Sequence, residues 1–143
     1  MLYYVTGNMF ERSYDVLVNP VNCAGVMGKG LALSFKQRYP ENFAAYRQAC
    51  KEGALKPGRL FIYGASPVIV NFATKDHWRS PSLLSYVADG ADDLAAWLKG
   101  NPQFRTVAAP KLGCGLGGLN WQEVQPILAD ALKDSPQDIY IYT

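Results

Sequence analysis

A chain of 143 residues, 49% hydrophobic and 18% charged, has the balance of one folded domain, and this excludes disordered, fibrous and disulfide-dependent classes. Its net charge of +2 is uneven: residues 1–60 carry eight Lys and Arg against four Asp and Glu, and the remainder six against eight. With no block of basic residues, a small polyanion is the expected ligand rather than a long nucleic-acid track.

Leu2–Thr6 and Asp15–Asn19 are short runs rich in Val, Leu and Tyr closed by turn-forming Gly or Pro, and they predict a strand pair opening the fold. From Lys29, the apolar residues Leu31, Ala32, Phe35 and Tyr39 recur at helical spacing until Pro40 stops them, and a second helix is expected from Glu41 to about Lys51. Arg59–Tyr63 and Pro67–Ala73 read as a hairpin or two neighbouring strands. The second is almost wholly apolar, as a central strand covered on both faces should be.

Ser82 to about Leu98 sets Leu84, Val87, Ala91, Leu94, Ala95 and Leu98 on one helical stripe, which Gly90 interrupts. Arg105–Ala109 is expected as a buried strand, Trp121–Leu132 as a helix and Asp138–Tyr142 as a last strand; Asn120 and Glu123 have capping-box spacing. Strands alternating with helices predict a layered α/β domain over 1–143, with a largely parallel sheet and helices on both faces.

Cys23, Cys50 and Cys114 are odd in number and lack CxxC spacing, which fits a reducing compartment. The N-terminus has no charged region leading into an apolar run, and no stretch approaches the roughly 18 apolar residues of a span, so a cytoplasmic protein without membrane association is expected. His77 is the single histidine, so neither HExxH nor a three-histidine zinc site can form.

Two strand-to-helix loops carry the functional signal. Asn19-Pro20-Val21-Asn22-Cys23-Ala24-Gly25-Val26-Met27-Gly28-Lys29-Gly30 is one, and Pro110-Lys111-Leu112-Gly113-Cys114-Gly115-Leu116-Gly117-Gly118-Leu119-Asn120-Trp121 is the other. Glycines let main-chain N–H groups close on an anion at a helix N-terminus. Gly30 after Lys29 excludes a Walker A loop, and the chain provides no acidic residue after a following strand for a dinucleotide fold. Two such loops at the carboxyl ends of neighbouring parallel strands predict a pyrophosphate site. Lys75, directly after the apolar strand, is expected to be partly desolvated, which favours a neutral amine. Trp78 and Arg79 beside it offer a stacking place for a nucleobase.

Thr6-Gly7-Asn8-Met9-Phe10, Val16–Asn19, both glycine loops and Ile139-Tyr140-Ile141-Tyr142, in this order, resemble a macrodomain over essentially the whole chain. Val26-Met27-Gly28-Lys29-Gly30-Leu31-Ala32, followed by Phe35-Lys36 and Tyr39-Pro40, is similar to the subgroup of the terminal ADP-ribose protein glycohydrolase and the DarG antitoxins. The resemblance implies a three-layer α/β/α fold with a mixed, largely parallel six-stranded sheet. It implies Asn8 and Met9 at the adenine; Asn22, Gly25, Val26, Met27, Gly28, Gly30, Leu31 and Ala32 around the distal ribose and part of the pyrophosphate; and Pro110, Leu112, Gly113, Cys114, Gly115, Leu116, Gly117, Gly118 and Leu119 at the remaining phosphate oxygens. Tyr142 falls on the ribose side, and Lys75 matches the lysine on which the subgroup's reaction depends.

The implied activity is ADP-ribosyl glycohydrolysis, first on ADP-ribosylated thymine in single-stranded DNA and second on protein carboxylate esters. Alternatives with the same cleft are a non-catalytic ADP-ribose-binding module, an ADP-ribose 1''-phosphate phosphatase and an O-acyl-ADP-ribose deacylase. No metal or cofactor is implied, ADP-ribose being ligand and product. The implied partners are ADP-ribosylated DNA or protein and a cognate ADP-ribosyltransferase toxin; the sequence carries no sign of an oligomer, and a monomer is expected. Gly117 stands where the human-type enzymes carry an acid, and Gly117→Asp is expected to make a covalent lysine route easier to detect.

Overall fold

The apolar run Val68–Ala73 is buried at every position and forms the middle of the molecule. The computed structural model describes residues 1–143. Six strands form one sheet: β1 (Leu2–Val5), β2 (Val16–Val21), β3 (Leu60–Tyr63), β4 (Val68–Ala73), β5 (Thr106–Pro110) and β6 (Asp138–Tyr142). Their order across the sheet is β1-β6-β5-β2-β4-β3, with every pairing parallel except β3 against β4. Four helices cover it: α1 (Gly30–Arg38), α2 (Pro40–Lys51), α3 (Leu84–Lys99) and α4 (Trp121–Leu132).

Strand periodicity decides which residues meet which helices. Val16, Val18, Val68, Val70 and Phe72 pack with Val87, Ala91, Leu94 and Leu98 of α3 and Val124, Leu128 and Leu132 of α4. The alternate residues turn to the other face: Leu17 and Ile69 meet Phe35 of α1, while Val21 and Ala73 meet Tyr46 of α2. Both faces of the central strands are therefore dry, as the mixed three-layer architecture requires.

The expected opening strand pair does not form. β1 pairs with β6, Leu2 opposite Ile139 through Val5 opposite Tyr142, and two strands separate it from β2. The cause is burial: β2 has an apolar side chain for each face and takes the centre, whereas β1 exposes Tyr3 and Tyr4 and suits an edge. The capping box is only half present. Asn120 Oδ1 accepts from Gln122 N at 2.9 Å, and no return bond comes from Glu123. α3 begins at Leu84 rather than Ser82, leaving Ser82 in the preceding turn, bonded through its N–H to Gly117 O.

Gly90, the apparent defect in α3, is explained by Phe72. A Cβ at residue 90 would lie 2.3 Å from Phe72 Cζ, and the Phe72 ring is fully buried, so it has nowhere to swing. Gly90→Ala should gain roughly 1 kcal/mol of helix propensity and lose about 1–3 kcal/mol to overpacking. A net loss of stability is expected in urea unfolding, and a gain would contradict the close approach.

Candidate active site

β2 and β5 are bonded side by side only at Val16–Val107 and Leu17–Ala108. Both strands continue, but they part, and each carries a proline beyond the split, Pro20 and Pro110, that has no N–H to offer a ladder. The loops after β2, β4 and β5 gather around this opening and enclose a cavity of about 720 Å³, within the range of small-molecule sites. The chain leaves β2 toward β4 on one side and returns through α3 to β5 on the other, so the opening is a switch point of the sheet.

The first glycine loop is held from inside. Asn22 Nδ2 donates to Val26 O at 2.8 Å, its Oδ1 accepts from Ala24 N at 2.9 Å, and the buried Tyr46 hydroxyl donates to the same oxygen at 2.8 Å. Below it, Asn19 Nδ2 donates to Asn71 Oδ1 at 3.2 Å, and Asn71 Nδ2 donates to Asn42 Oδ1 at 2.8 Å, so buried amides tie β2, β4 and α2 together. Burial also holds Tyr46 in its neutral phenol form, pushing its pKa up.

α1 starts directly at the cavity. Its N-cap Lys29 makes no side-chain cap bond, and Leu33 N, bonded to Lys29 O at 3.2 Å, is the first helical N–H with a carbonyl partner. The N–H groups of Gly30, Leu31 and Ala32 are the free donors of the helix start, and all three residues line the cavity. Gly30 has φ +59°, and the Leu116 side chain sits so close that a Cβ at residue 30 would meet it at 3.3 Å. The two glycine loops thus touch across the cleft.

The second loop turns through a short 3-10 segment, Gly115–Gly117. Gly115, at φ +60°, has open space where a side chain would project. Gly117 is tighter: a Cβ there would lie 2.4 Å from Ser82 Oγ and 3.1 Å from Ser82 Cβ, so Gly117→Asp requires the buried Ser82 hydroxyl to turn away as the carboxylate is added.

Lys75 stands at the third loop, half-buried. Its ammonium donates to Leu116 O at 3.2 Å and to Trp78 O at 3.4 Å, bridging the loop after β4 to the second glycine loop. Cys23 N donates to Asp76 O at 2.7 Å, so the third loop is also fixed to the first.

Of the residues expected at the ligand, the cavity wall brings together Asn22, Val26, Gly28, Gly30, Leu31, Ala32, Lys75, Pro110, Gly113, Cys114, Gly115, Leu116 and Gly117. Others lie elsewhere. Met9, Met27 and Leu112 are buried in hydrophobic clusters and Leu119 packs against one. Asn8 accepts from Phe10 N at 2.9 Å as the cap of the Met9–Glu11 turn. Gly25 faces Arg47 and Cys50, Gly118 closes the Gly115–Gly117 turn, and the Tyr142 hydroxyl is paired with Tyr14 at 2.5 Å. Pro20, Val21 and Thr74 line the cavity without having been singled out from the sequence. Their backbone placement, which no side-chain chemistry advertises, puts them there.

The wall is electropositive. Lys29, Lys75, Arg79 and Lys111 line it, with no Asp or Glu among the twenty lining residues, and none of the four is in a salt bridge. Burial pushes the Cys23 thiol up to about 12 and also raises Cys50 and Cys114, the last despite Lys111, which disfavours the thiolate at each. His77 is exposed outside the cavity, its Nδ1 accepting from Arg79 N at 3.2 Å. No helix is long and apolar enough to cross a membrane.

The Macro domain family model matches residues 18–128. The chain is 45% identical over 138 residues to a DNA ADP-ribosyl glycohydrolase of Thermus aquaticus, covering 93% of this chain and 38% of that protein. It is 43% identical over 148 residues to one of Mycobacterium tuberculosis, covering 99% and 42%. It therefore spans about two fifths of the length of these curated relatives. The solved macrodomain of Thermus aquaticus DarG superposes with a TM-score of 0.92 at 42% identity, covering 100% of this chain and 98% of that one. Thermosipho africanus DarTG in complex with ADP-ribose superposes with a TM-score of 0.84 at 32% identity, covering 98% and 41%. This chain, with its mixed six-stranded sheet and its cleft at the parting of β2 and β5, belongs to the macrodomain family.

Proposed function

We propose that this macrodomain binds ADP-ribose across the two glycine loops and hydrolyses the bond joining it to thymine in single-stranded DNA. The observation that carries the reading is the position of Lys75, whose ammonium links both sides of a cavity that has free helix N–H groups on one wall and four cations around it. DNA stands ahead of protein carboxylate esters as substrate because relatives 43–45% identical over nearly the whole chain are named as DNA ADP-ribosyl glycohydrolases. Residues 1–143 act as one domain, a monomer in the reducing cytoplasm, and the cognate partner is an ADP-ribosyltransferase toxin that installs the modification.

In this reading the loops bind and Lys75 reacts. The pyrophosphate takes the free N–H groups of Gly30 to Ala32 on one side and the Gly113–Gly117 main chain on the other. The anomeric carbon of the distal ribose then faces Lys75. As its bond to thymine nitrogen breaks, the electron pair leaves with thymine, and the Lys75 ammonium delivers the proton that nitrogen needs. Water adds to the positively charged carbon and returns its proton to the amine, so ADP-ribose and unmodified thymine are formed and the enzyme is restored. Gly117 supplies no carboxylate to assist a covalent route, which favours this acid–base one.

Calorimetry is expected to give ADP-ribose binding with AMP far weaker, since AMP leaves one loop unused. Gly115→Val and Gly28→Val should each abolish it in a folded domain, by filling the phosphate space or forcing a β-branched residue to positive φ. Wild-type affinity in either variant would refute the placement.

Lys75→Ala should keep ADP-ribose affinity within a few-fold and lower kcat by about 10²–10⁴, the usual contribution of a positioned acid–base group. Lys75→Arg should stay inactive, because guanidinium keeps charge but does not exchange protons near neutral pH. Product mass should be followed on ADP-ribosylated DNA, ADP-ribosylated peptide, ADP-ribose 1''-phosphate and O-acyl-ADP-ribose. Full hydrolysis by Lys75→Ala would place the chemistry on another group, a wild type inactive on all four substrates would leave plain binding, and a borohydride-trapped adduct on Lys75 would replace the acid–base route with a covalent one.

A further inference from the structure

Beyond the cavity wall, the loop after β4 builds a ledge of planar groups at the cavity mouth. The His77 and Trp78 rings lie 5.1 Å apart at 31°, and the Arg79 guanidinium sits 4.4 Å from the Trp78 ring centre. All three side chains are exposed, Trp78 at 44%. Leu116 at 68% and Val26 at 40% are exposed on the same rim, so three of the chain's seven exposed large apolar side chains surround one opening. The ledge does not float: Lys75 holds the Trp78 carbonyl at 3.4 Å, and Asp76 O is bonded to Cys23 N at 2.7 Å.

Charge gives a second argument. The pyrophosphate of ADP-ribose carries two negative charges, while Lys29, Lys75, Arg79 and Lys111 bring four positive ones to the wall with no acid to balance them. A nucleotide within a DNA strand brings two more phosphates, one on each side, and these match the surplus. A free ADP-ribose, or one on an uncharged acceptor, leaves it unmatched.

We infer that the His77–Trp78–Arg79 ledge is a specificity surface for single-stranded DNA, on which a base flanking the ADP-ribosylated thymidine stacks while Arg79 meets the neighbouring phosphate. The inference rests on the DNA reading above. Aromatic rings and guanidinium planes accept any base face, so the contact reads the presence of a base and not its identity. It also requires a single strand, because in a duplex each base face is already covered. Stacking is only weakly sensitive to salt, so a chain of net charge +2 can hold the flanking nucleotide without a long basic track.

The test uses two single-stranded oligonucleotides with one ADP-ribosylated thymidine each. One has ordinary bases on both sides, and the other is abasic at both flanking positions with every phosphate kept. The wild-type domain should prefer the first by about tenfold in kcat/KM, toward the lower end of what base–aromatic stacking gives. Trp78→Ala should bring that ratio to about one, and Trp78→Phe should restore most of it. Because the readout is a ratio within each variant, general damage to the cleft cancels.

Equal rates on both oligonucleotides with wild type, or a preference that survives in Trp78→Ala, would overturn the ledge while leaving the DNA activity intact. Trp78→Ala slowing an ADP-ribosylated peptide as much as the base-flanked oligonucleotide would also overturn it, since the ledge would then serve the ADP-ribose or a polypeptide. Wild type inactive on both oligonucleotides and active on the peptide would remove the DNA reading itself, and the ledge with it.

Discussion

The separation of β2 from β5 beyond Leu17 and Ala108 is the constraint on which the site depends. A sheet buried on both faces has no room for a ligand except where its strands part, and here they part at their carboxyl ends, where three loops emerge. Val16 and Leu17 hold the strands together at one end, while Pro20 and Pro110 decline to join them at the other. The helices enforce the geometry. α1 and α2 fill one face and α3 and α4 the other, so the loops have no direction open except toward the cleft.

Polar chemistry under the cleft is arranged so that side chains serve the fold and main chain serves the ligand. Asn22, Asn42 and Asn71 spend their amides on one another, on carbonyls and on N–H groups, and Asn19 joins them through its Nδ2 alone, its Oδ1 having no partner. Each buried amide left unpaired would cost about 1–3 kcal/mol, so the network fixes the position of the first loop more firmly than its glycines alone could. What remains free at the wall is main-chain donors and cations, which suits a polyanion. Burial raises all three thiols and so disfavours their thiolate forms.

Much of this was legible in the sequence because it was local. The continuous run Val68–Ala73 could only be a strand covered twice, and the two glycine loops identified themselves by spacing. The partner of β1 was not legible, because pairing at a sheet edge is set by which strands compete for the centre. Met27 and Leu112 sit inside glycine loops, but their side chains point into the core, a distinction that loop sequence does not encode. Pro20, Val21 and Thr74 were missed for the opposite reason, having unremarkable side chains at positions where backbone geometry makes the wall. Gly90 looked like a weakness in a helix, and the structure explains it as space already taken by the Phe72 ring.

The central claim, that two main-chain loops at the parting strands grip ADP-ribose, is tested most directly by amide chemical shifts of the labelled domain during titration with ADP-ribose. The account predicts that the largest changes fall on Gly30, Leu31 and Ala32 and on Gly113 to Gly117, saturating together as one binding event. Changes centred instead on the smaller cavity of about 370 Å³ between Arg38–Asn42 and Tyr63–Pro67, with both glycine loops unmoved, would contradict it.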